Sequence, residues 1–234
     1  MFETKQSRKY LFRLERLAQQ GKYRAGLQEV EKYLKQYPAK DEFLLKHAFF
    51  SYHHAVDLKY SSSVKKEKYQ TLKIAAYFEQ AIRVCRKLIK RKKLLPQRIY
   101  LNARIYLAQI YAMLGKSRKA KAFACATYKY LPISLTAERA ADVYRRLNDF
   151  NGAMRWYKKA VKKAKRVDEK ATTHAGLAML YRHMGRMEKA LEEVQTAVYF
   201  IGRIKHPEMF NPKLLMKILR SHIPEFKKPH SSSR

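Results

Sequence analysis

Two adjacent histidines and a nearby aspartate are the residues best suited to metal chemistry. His53 and His54 stand side by side, and Asp57 follows His53 by four residues, which is about one helical turn. A metal site on a helix usually places two histidines at that spacing and adds a third ligand. Only one histidine and one carboxylate meet this rule, so the sequence predicts a surface pair and no metal site.

Motifs for catalysis are missing from the rest of the sequence as well. There is no glycine-rich phosphate loop, no motif for a serine or cysteine nucleophile, and no paired Cys–His spacing. Trp156 and the seventeen tyrosines could stack on nucleic-acid bases, but many of them recur at spacings that pack a helical core. We therefore predict no catalytic residue, no cofactor and no enzymatic activity.

Positive charge is the strongest functional signal. The 234 residues include 52 lysines and arginines but only 19 aspartates and glutamates, for a formal net charge of +33. The stretch from Gln80 to Ala137 contains fourteen basic residues and no acidic one. A field of this sign attracts RNA, DNA, an anionic membrane or an acidic protein.

The composition favours helices as the elements that carry these charges. Ala, Leu, Lys, Arg and Tyr dominate, and seven glycines with seven prolines are too few for an all-β protein. Two cysteines, Cys85 and Cys125, cannot form a disulfide framework, which favours a reducing compartment. We find no apolar run of membrane-spanning length and no signal-peptide core at the start, so we predict a cytoplasmic protein without a membrane span.

The spacing of small residues, glycine and proline repeats along the chain. The stretches GKYRAGLQEVEKYLKQYP at 21–38 and GKSRKAKAFACATYKYLP at 115–132 both open with Gly-Lys and close on a Tyr and a Pro. Unit starts at residues 101, 134 and 171 place Ala108, Ala141 and Ala178 at the eighth position. The predicted units lie near 7–40, 41–100 with insertions, 101–133, 134–170 and 171–204.

This pattern resembles the tetratricopeptide repeat, a helix–turn–helix unit of about 34 residues. The resemblance implies an all-α protein: a right-handed superhelical α-solenoid of about five such units. A C-terminal capping helix at 205–223 and a basic disordered tail at 224–234 are predicted to follow. Small residues let paired helices approach closely, and Gly at position 15 ends a helix in the left-handed conformation, where Asn148 replaces it in one unit.

The unit at 41–100 is longer than its neighbours. The surplus includes LKYSSSVKKEKY at 58–69 and KLIKRKKLLPQR at 87–98. This length predicts extended helices that project beyond the neighbouring units. A tolerated insertion and a purpose-built feature both remain as interpretations.

The resemblance also assigns two surfaces. In this family the first helices line a concave groove. The clamp of Lys, Asn and Arg residues with which some members grip chaperone C-termini is absent here. The resemblance therefore implies a groove of mixed polarity, which suits an extended acidic peptide. The predicted groove residues are Asn102, Tyr106, Gln109, Arg139, Asp142, Arg146, Arg182 and His183. Second helices form the outer face, and its predicted basic residues are Lys87, Lys90, Arg91, Lys92, Lys93, Lys158, Lys159, Lys162 and Lys163.

Two functions of different classes follow. The first is a protein–protein interaction adaptor or scaffold that binds an acidic peptide or protein segment in its groove. The alternative is an RNA- or ribosome-associated helical repeat protein that binds phosphate through the basic outer face.

Overall fold

Helices make up the part of the chain that the structure describes. The computed structural model describes residues 5–61, 68–204, 216, 219, 220 and 223, and it contains no strand within them. The ten α-helices of these residues are α1 (Lys5–Gln19), α2 (Tyr23–Gln36), α3 (Asp41–Ser61), α4 (Lys68–Lys90), α5 (Gln97–Met113), α6 (Ser117–Tyr130), α7 (Ser134–Arg146), α8 (Phe150–Lys163), α9 (Val167–His183) and α10 (Met187–Ile201). The predicted all-α class is confirmed, while the handedness and the number of units stay predictions. No helix among the described residues is long and apolar enough to cross a membrane.

The chain forms two compact units. The first is Met1–Leu114, with α1 to α5, and the second is Gly115–Arg234, with α6 to α10. The division falls inside the repeat predicted at 101–133, so α5 and α6 belong to different units.

Left-handed residues end several of the helices. The positive φ angles are 68° at Gly21, 68° at Gly115, 72° at Gly185 and 58° at Asn148. At Asn148 the backbone N–H donates to the carbonyl of Arg145, and the N–H of Asp149 donates to the carbonyl of Tyr144, both at 3.0 Å. These two bonds form the Schellman arrangement, which pairs carbonyls that the helix end leaves open. The predicted role of position 15 is confirmed, including the replacement of Gly by Asn.

The small residues of the repeat pattern are buried. Ala108, Ala141 and Ala178 expose 2%, 0% and 0% of their surface, as the repeat spacing predicts. Gly26 on α2 shows how close the approach is, because a Cβ added there would lie 2.1 Å from the ring of Phe50 on α3. Close packing around these small residues restricts the conformations of the neighbouring side chains.

The two helices of the long unit are extended. α3 has 21 residues and α4 has 23, whereas the other α-helices have 13 to 17. A short 3-10 turn, Lys92–Leu94, separates α4 from α5. The predicted lengthening is confirmed, and the projection of these helices stays a prediction. Within α4, Cys85 is completely buried as a free thiol, and burial raises its pKa to about 12.

The end of the chain is described at a few residues only. Leu219 and Ile223 are fully buried, and they pack in one cluster with Ala178 of α9 and Val194 of α10. The rest of the capping helix predicted at 205–223 and the tail predicted at 224–234 lie outside the described residues.

Candidate binding groove

A pocket of about 350 Å³ opens between α1, α3 and α5 of the first unit. These are the first helices of the three repeats predicted at 7–40, 41–100 and 101–133, which is where the resemblance places a groove. The residues that line the pocket are Leu11, Phe12, Glu15, Glu42, Leu45, Lys46, Phe49, Arg98, Asn102 and Tyr106.

Aromatic rings form much of this lining. The ring centroid of Phe49 on α3 lies 5.9 Å from that of Tyr106 on α5 and 4.3 Å from that of His53. On α1, Phe12 exposes 74% of its surface at the same pocket. Phe12 therefore adds exposed apolar surface beside the concavity.

The charges around the pocket are only partly paired. Lys46 forms an ion pair with Glu15, and its ammonium group also lies 5.8 Å from the centroid of the Phe49 ring. Arg98 and Glu42 line the pocket without an ion pair to any described residue. One guanidinium group is therefore available to a carboxylate from outside.

The predicted groove residues of α5 do not all reach this pocket. Asn102 and Tyr106 line it and are half-buried. Gln109, further along the same helix, exposes only 8% of its surface and lies outside the lining.

In the second unit, the predicted groove residues of α7 form a network of charges. Both Asp142 oxygens accept hydrogen bonds: Oδ1 from the Tyr157 hydroxyl at 2.8 Å and from Arg145 at 3.1 Å, and Oδ2 from Arg139 at 3.5 Å. Arg139 also contacts Glu138, which exposes 6% of its surface, at 3.5 Å. Positive and negative groups in this part of α7 already pair with one another.

The pKa values of the network reflect burial and these contacts. Burial acts to raise the pKa of Asp142, but the guanidinium groups of Arg145 and Arg139 outweigh it, so the pKa falls below its usual value. Burial raises the pKa of Glu138. Burial, followed by the negative charge of Asp142, raises the pKa of Tyr157 well above 10. Asp142 is therefore held as a carboxylate and Tyr157 as a neutral hydroxyl donor.

The chain also matches a known family in this region. Residues 138–162, which cover most of α7 and α8, match the family described as tetratricopeptide repeat. This stretch of the chain resembles a tetratricopeptide repeat. No curated protein matches its sequence.

Solved structures show the same fold. A crystal structure of TTC0263, a thermophilic tetratricopeptide repeat protein of Thermus thermophilus, matches with a TM-score of 0.60 and 18% identity. The match covers 93% of this chain and 98% of that one. A MamA structure from Desulfovibrio magneticus has a TM-score of 0.47 and 12% identity over 86% of this chain and 98% of its own, a likeness too distant to carry an argument. At these identities the likeness shows the fold alone.

The tetratricopeptide numbering explains the pocket residues that the sequence analysis missed. Phe12 and Lys46 stand at position 6 of the units that start at 7 and 41, and Phe49 stands at position 9 of the second. The predicted groove residues Tyr106 and Asp142 stand at positions 6 and 9 of their own units, so a rule based on these positions selects all of them. Applied to the first two units, the rule would have found them.

The remaining predicted groove residues of the tetratricopeptide array lie in the second unit. Arg146 on α7 and Arg182 on α9 are half-buried, and His183 is exposed. The Nδ1 atom of His183 lies 2.6 Å from the carbonyl oxygen of Met179, one turn earlier on α9. Their role in binding stays a prediction.

The predicted outer-face residues fall on α4, the turn after it, and α8. All are exposed except Arg91, which is half-buried and forms an ion pair with Asp41 at 2.5 Å. The ammonium group of Lys92 lies 5.7 Å from the centroid of the Tyr100 ring. The residues that remain exposed are Lys87, Lys90, Lys92, Lys93, Lys158, Lys159, Lys162 and Lys163.

Of the predicted surface pair of His53 and Asp57, Asp57 is exposed but His53 is not fully so. His53 is half-buried and stacks on Tyr23 with ring centroids 4.7 Å apart, and His54 exposes only 8% of its surface. Burial lowers the pKa of His54. The described residues contain no cluster of three or more side chains able to hold a metal ion. The lack of enzymatic activity stays a prediction.

Proposed function

We propose that this protein is an interaction adaptor that holds an extended acidic peptide segment in the groove of its first unit. The tetratricopeptide fold suits a protein–protein interaction scaffold, since its first helices present side chains to a partner. The observation that carries the proposal is the pocket between α1, α3 and α5, with the exposed Phe12 beside it.

The pocket is suited to one large apolar side chain of the peptide. Its volume of about 350 Å³ lies at the small end of ligand sites. Leu45, Phe49 and Tyr106 would surround such an anchor, and Phe12 would fold over it from α1. Covering the Phe12 ring removes apolar surface from water, which favours binding.

Charge determines which peptide residues are favoured next to the apolar anchor residue. Arg98 lines the pocket without an ion pair to a described residue, and it can take a carboxylate in a bidentate bond. Asn102 can both donate to and accept from the backbone of an extended peptide. The net charge of +33 adds long-range attraction for acidic segments and speeds their association.

A random peptide library tests the proposal. Selection on the wild-type protein should enrich peptides with aspartate or glutamate around a single large apolar residue. The double variant Phe12→Ser/Arg98→Gln should lose at least ten-fold in affinity for these peptides, measured by fluorescence anisotropy.

A matched control lies in the same unit. Leu72 exposes 63% of its surface and Arg83 is also exposed, both on α4 and outside the pocket. Leu72→Ser/Arg83→Gln likewise replaces one exposed apolar side chain by Ser and one exposed arginine by Gln, and it should leave the affinity within two-fold. Enrichment of basic peptides, or equal losses in both variants, would refute the proposal.

A further inference from the structure

Four lysines of α8 form an unpaired basic surface on the second unit. Lys158, Lys159, Lys162 and Lys163 are all exposed, and no carboxylate among the described residues forms an ion pair with them. We call these four residues the α8 lysine patch. The acidic residue at the start of the helix, Asp149, is engaged elsewhere, because it accepts from Lys121 at 2.6 Å and from the backbone N–H of Gly152 at 2.9 Å.

The α8 lysine patch adjoins two aromatic rings. The ammonium group of Lys159 lies 4.4 Å from the centroid of the Trp156 ring and 5.8 Å from that of Tyr128 on α6. The two rings meet edge to face, with centroids 5.0 Å apart, and both are half-buried. Cationic groups and accessible ring surface therefore occupy the same place on α6 and α8.

The spacing of these lysines is unfavourable to the helix, although Lys162 and Lys163 stand in its last turn, where the helix dipole favours cations. Lys158 and Lys162, and likewise Lys159 and Lys163, stand four residues apart on α8, where like charges repel one another. Helix α6 adds four basic residues and no acidic one. Helix α10, the second helix of the last repeat, carries three glutamates and one lysine instead. Within the second unit, the excess of positive charge therefore falls on α6 and α8, and α10 shows that a second helix does not require it.

We propose that the α8 lysine patch, together with Tyr128 and Trp156, binds single-stranded nucleic acid. The four ammonium groups neutralise consecutive phosphates and release their counterions. The two rings offer a stacking surface to unpaired bases, which a duplex keeps inside its own stack. This activity is separate from peptide binding, because it uses the second unit and leaves the pocket of the first unit untouched.

Trp156 provides a direct measurement, because it is the single tryptophan of the chain. Titration with a 12-nucleotide oligouridine should change its fluorescence, whereas poly-glutamate of similar charge should change it little. A matched oligothymidine tests whether the ribose 2′-hydroxyl contributes: equal affinity indicates a site for single strands of either kind, and tighter oligouridine binding indicates an RNA site. In both cases the logarithm of the affinity should fall linearly with that of the salt concentration.

A charge-matched pair of variants tests the location. Lys158→Gln/Lys159→Gln/Lys162→Gln/Lys163→Gln should lower the oligouridine affinity at least ten-fold and reduce the salt slope by up to about 3, since each contact with a single strand contributes about 0.7. The control changes four exposed basic residues of the first unit to Gln, namely Lys9, Arg16, Lys22 and Lys35. It removes the same charge and should lose less than two-fold.

Three results would overturn the nucleic-acid proposal. They are equal losses in the two variants, binding of poly-glutamate as tight as that of oligouridine, and Trp156 fluorescence that stays constant while oligouridine binds. Circular dichroism and a melting curve of each variant confirm that the fold is retained in these comparisons. None of the three results bears on peptide binding by the first unit.

Discussion

The pocket of the first unit and the charged network of the second are built on the same positions of the repeat. Position 9 is Phe49 in the unit that starts at 41 and Asp142 in the unit that starts at 134. Phe49 faces a pocket that no described side chain fills, whereas Asp142 already accepts three hydrogen bonds. The repeat supplies the position, and the neighbouring side chains decide whether it is open to a partner or closed within the fold.

The difference changes what the predicted groove residues of α7 do. Arg139 contacts Asp142 and Glu138 within its own helix, so a peptide carboxylate would have to compete with both. Arg145, whose side chain is 12% exposed, depends on Asp142 for its counter-charge. We expect changes in this network to affect stability more than binding, and changes in the pocket to do the reverse.

The largest effect is expected at Asp142. Asp142→Ala leaves Arg145 buried without its carboxylate and removes the acceptor of the Tyr157 hydroxyl. The free energy of unfolding, measured by urea denaturation, should fall by about 3 to 5 kcal/mol. Glu188→Ala, at an exposed carboxylate of the same unit, should change it by less than about 0.5 kcal/mol. Similar losses in the two variants would mean that the network is not a structural element.

The next effect concerns pH and the first unit. Burial lowers the pKa of His47 to about 4, and its Nε2 lies 3.0 Å from the amide nitrogen of Gln80 and 3.8 Å from Glu31. The folded state resists protonation, whereas the unfolded chain takes up the proton near pH 6.5. Stability is therefore lost as the pH falls from about 6.5 to about 4, by up to about 3 kcal/mol.

His47→Gln isolates this contribution. The variant should show a flatter dependence of the free energy of unfolding on pH over that range, while His183→Gln, at an exposed histidine, should follow the wild type. A wild-type slope in His47→Gln would assign the pH dependence to other groups.

Overpacking a buried alanine should lower the free energy of unfolding by a smaller amount, which should be similar in the two units. Ala108→Leu in the first and Ala141→Leu in the second each force three extra carbons into a closely packed, buried position. Each should cost about 1 to 3 kcal/mol in the free energy of unfolding. Ala25→Leu and Ala122→Leu, at exposed positions of α2 and α6, serve as controls and should cost less than about 0.5 kcal/mol. Unaltered melting of the Ala108 or Ala141 variant would show that the repeat register is wrong.

The smallest effect on stability is expected at the pocket. Phe12→Ser removes a ring that is 74% exposed, so the free energy of unfolding should stay within about 0.5 kcal/mol of the wild type. The same variant should bind the selected peptides more weakly. A marked loss of stability would show that Phe12 packs within the unit and is not kept for a partner.

The sequence predicts the helix ends and contacts well, because each depends on a few neighbouring residues. The left-handed φ of Asn148 follows from its position alone, and so does the burial of Ala178. The repeat position of Phe49 follows from the unit start at 41, because Phe49 precedes the insertion at 58–69. The open space beside it could not be predicted, because that space depends on how α1, α3 and α5 pack. The pairing of Asp142 with Tyr157 joins residues fifteen apart on two helices, and only the packed helices bring them together.

The reaction rate of the buried Cys85 thiol on α4 can report how often the first unit opens. With a pKa of about 12, Cys85 exists as thiolate in about one molecule in 10⁵ at pH 7, and the side chain is fully covered. Alkylating reagents and peroxide act on the thiolate, so they reach Cys85 only while α4 is detached from its neighbours. The rate of alkylation at Cys85 would then report how often the helices around it separate, without any added label.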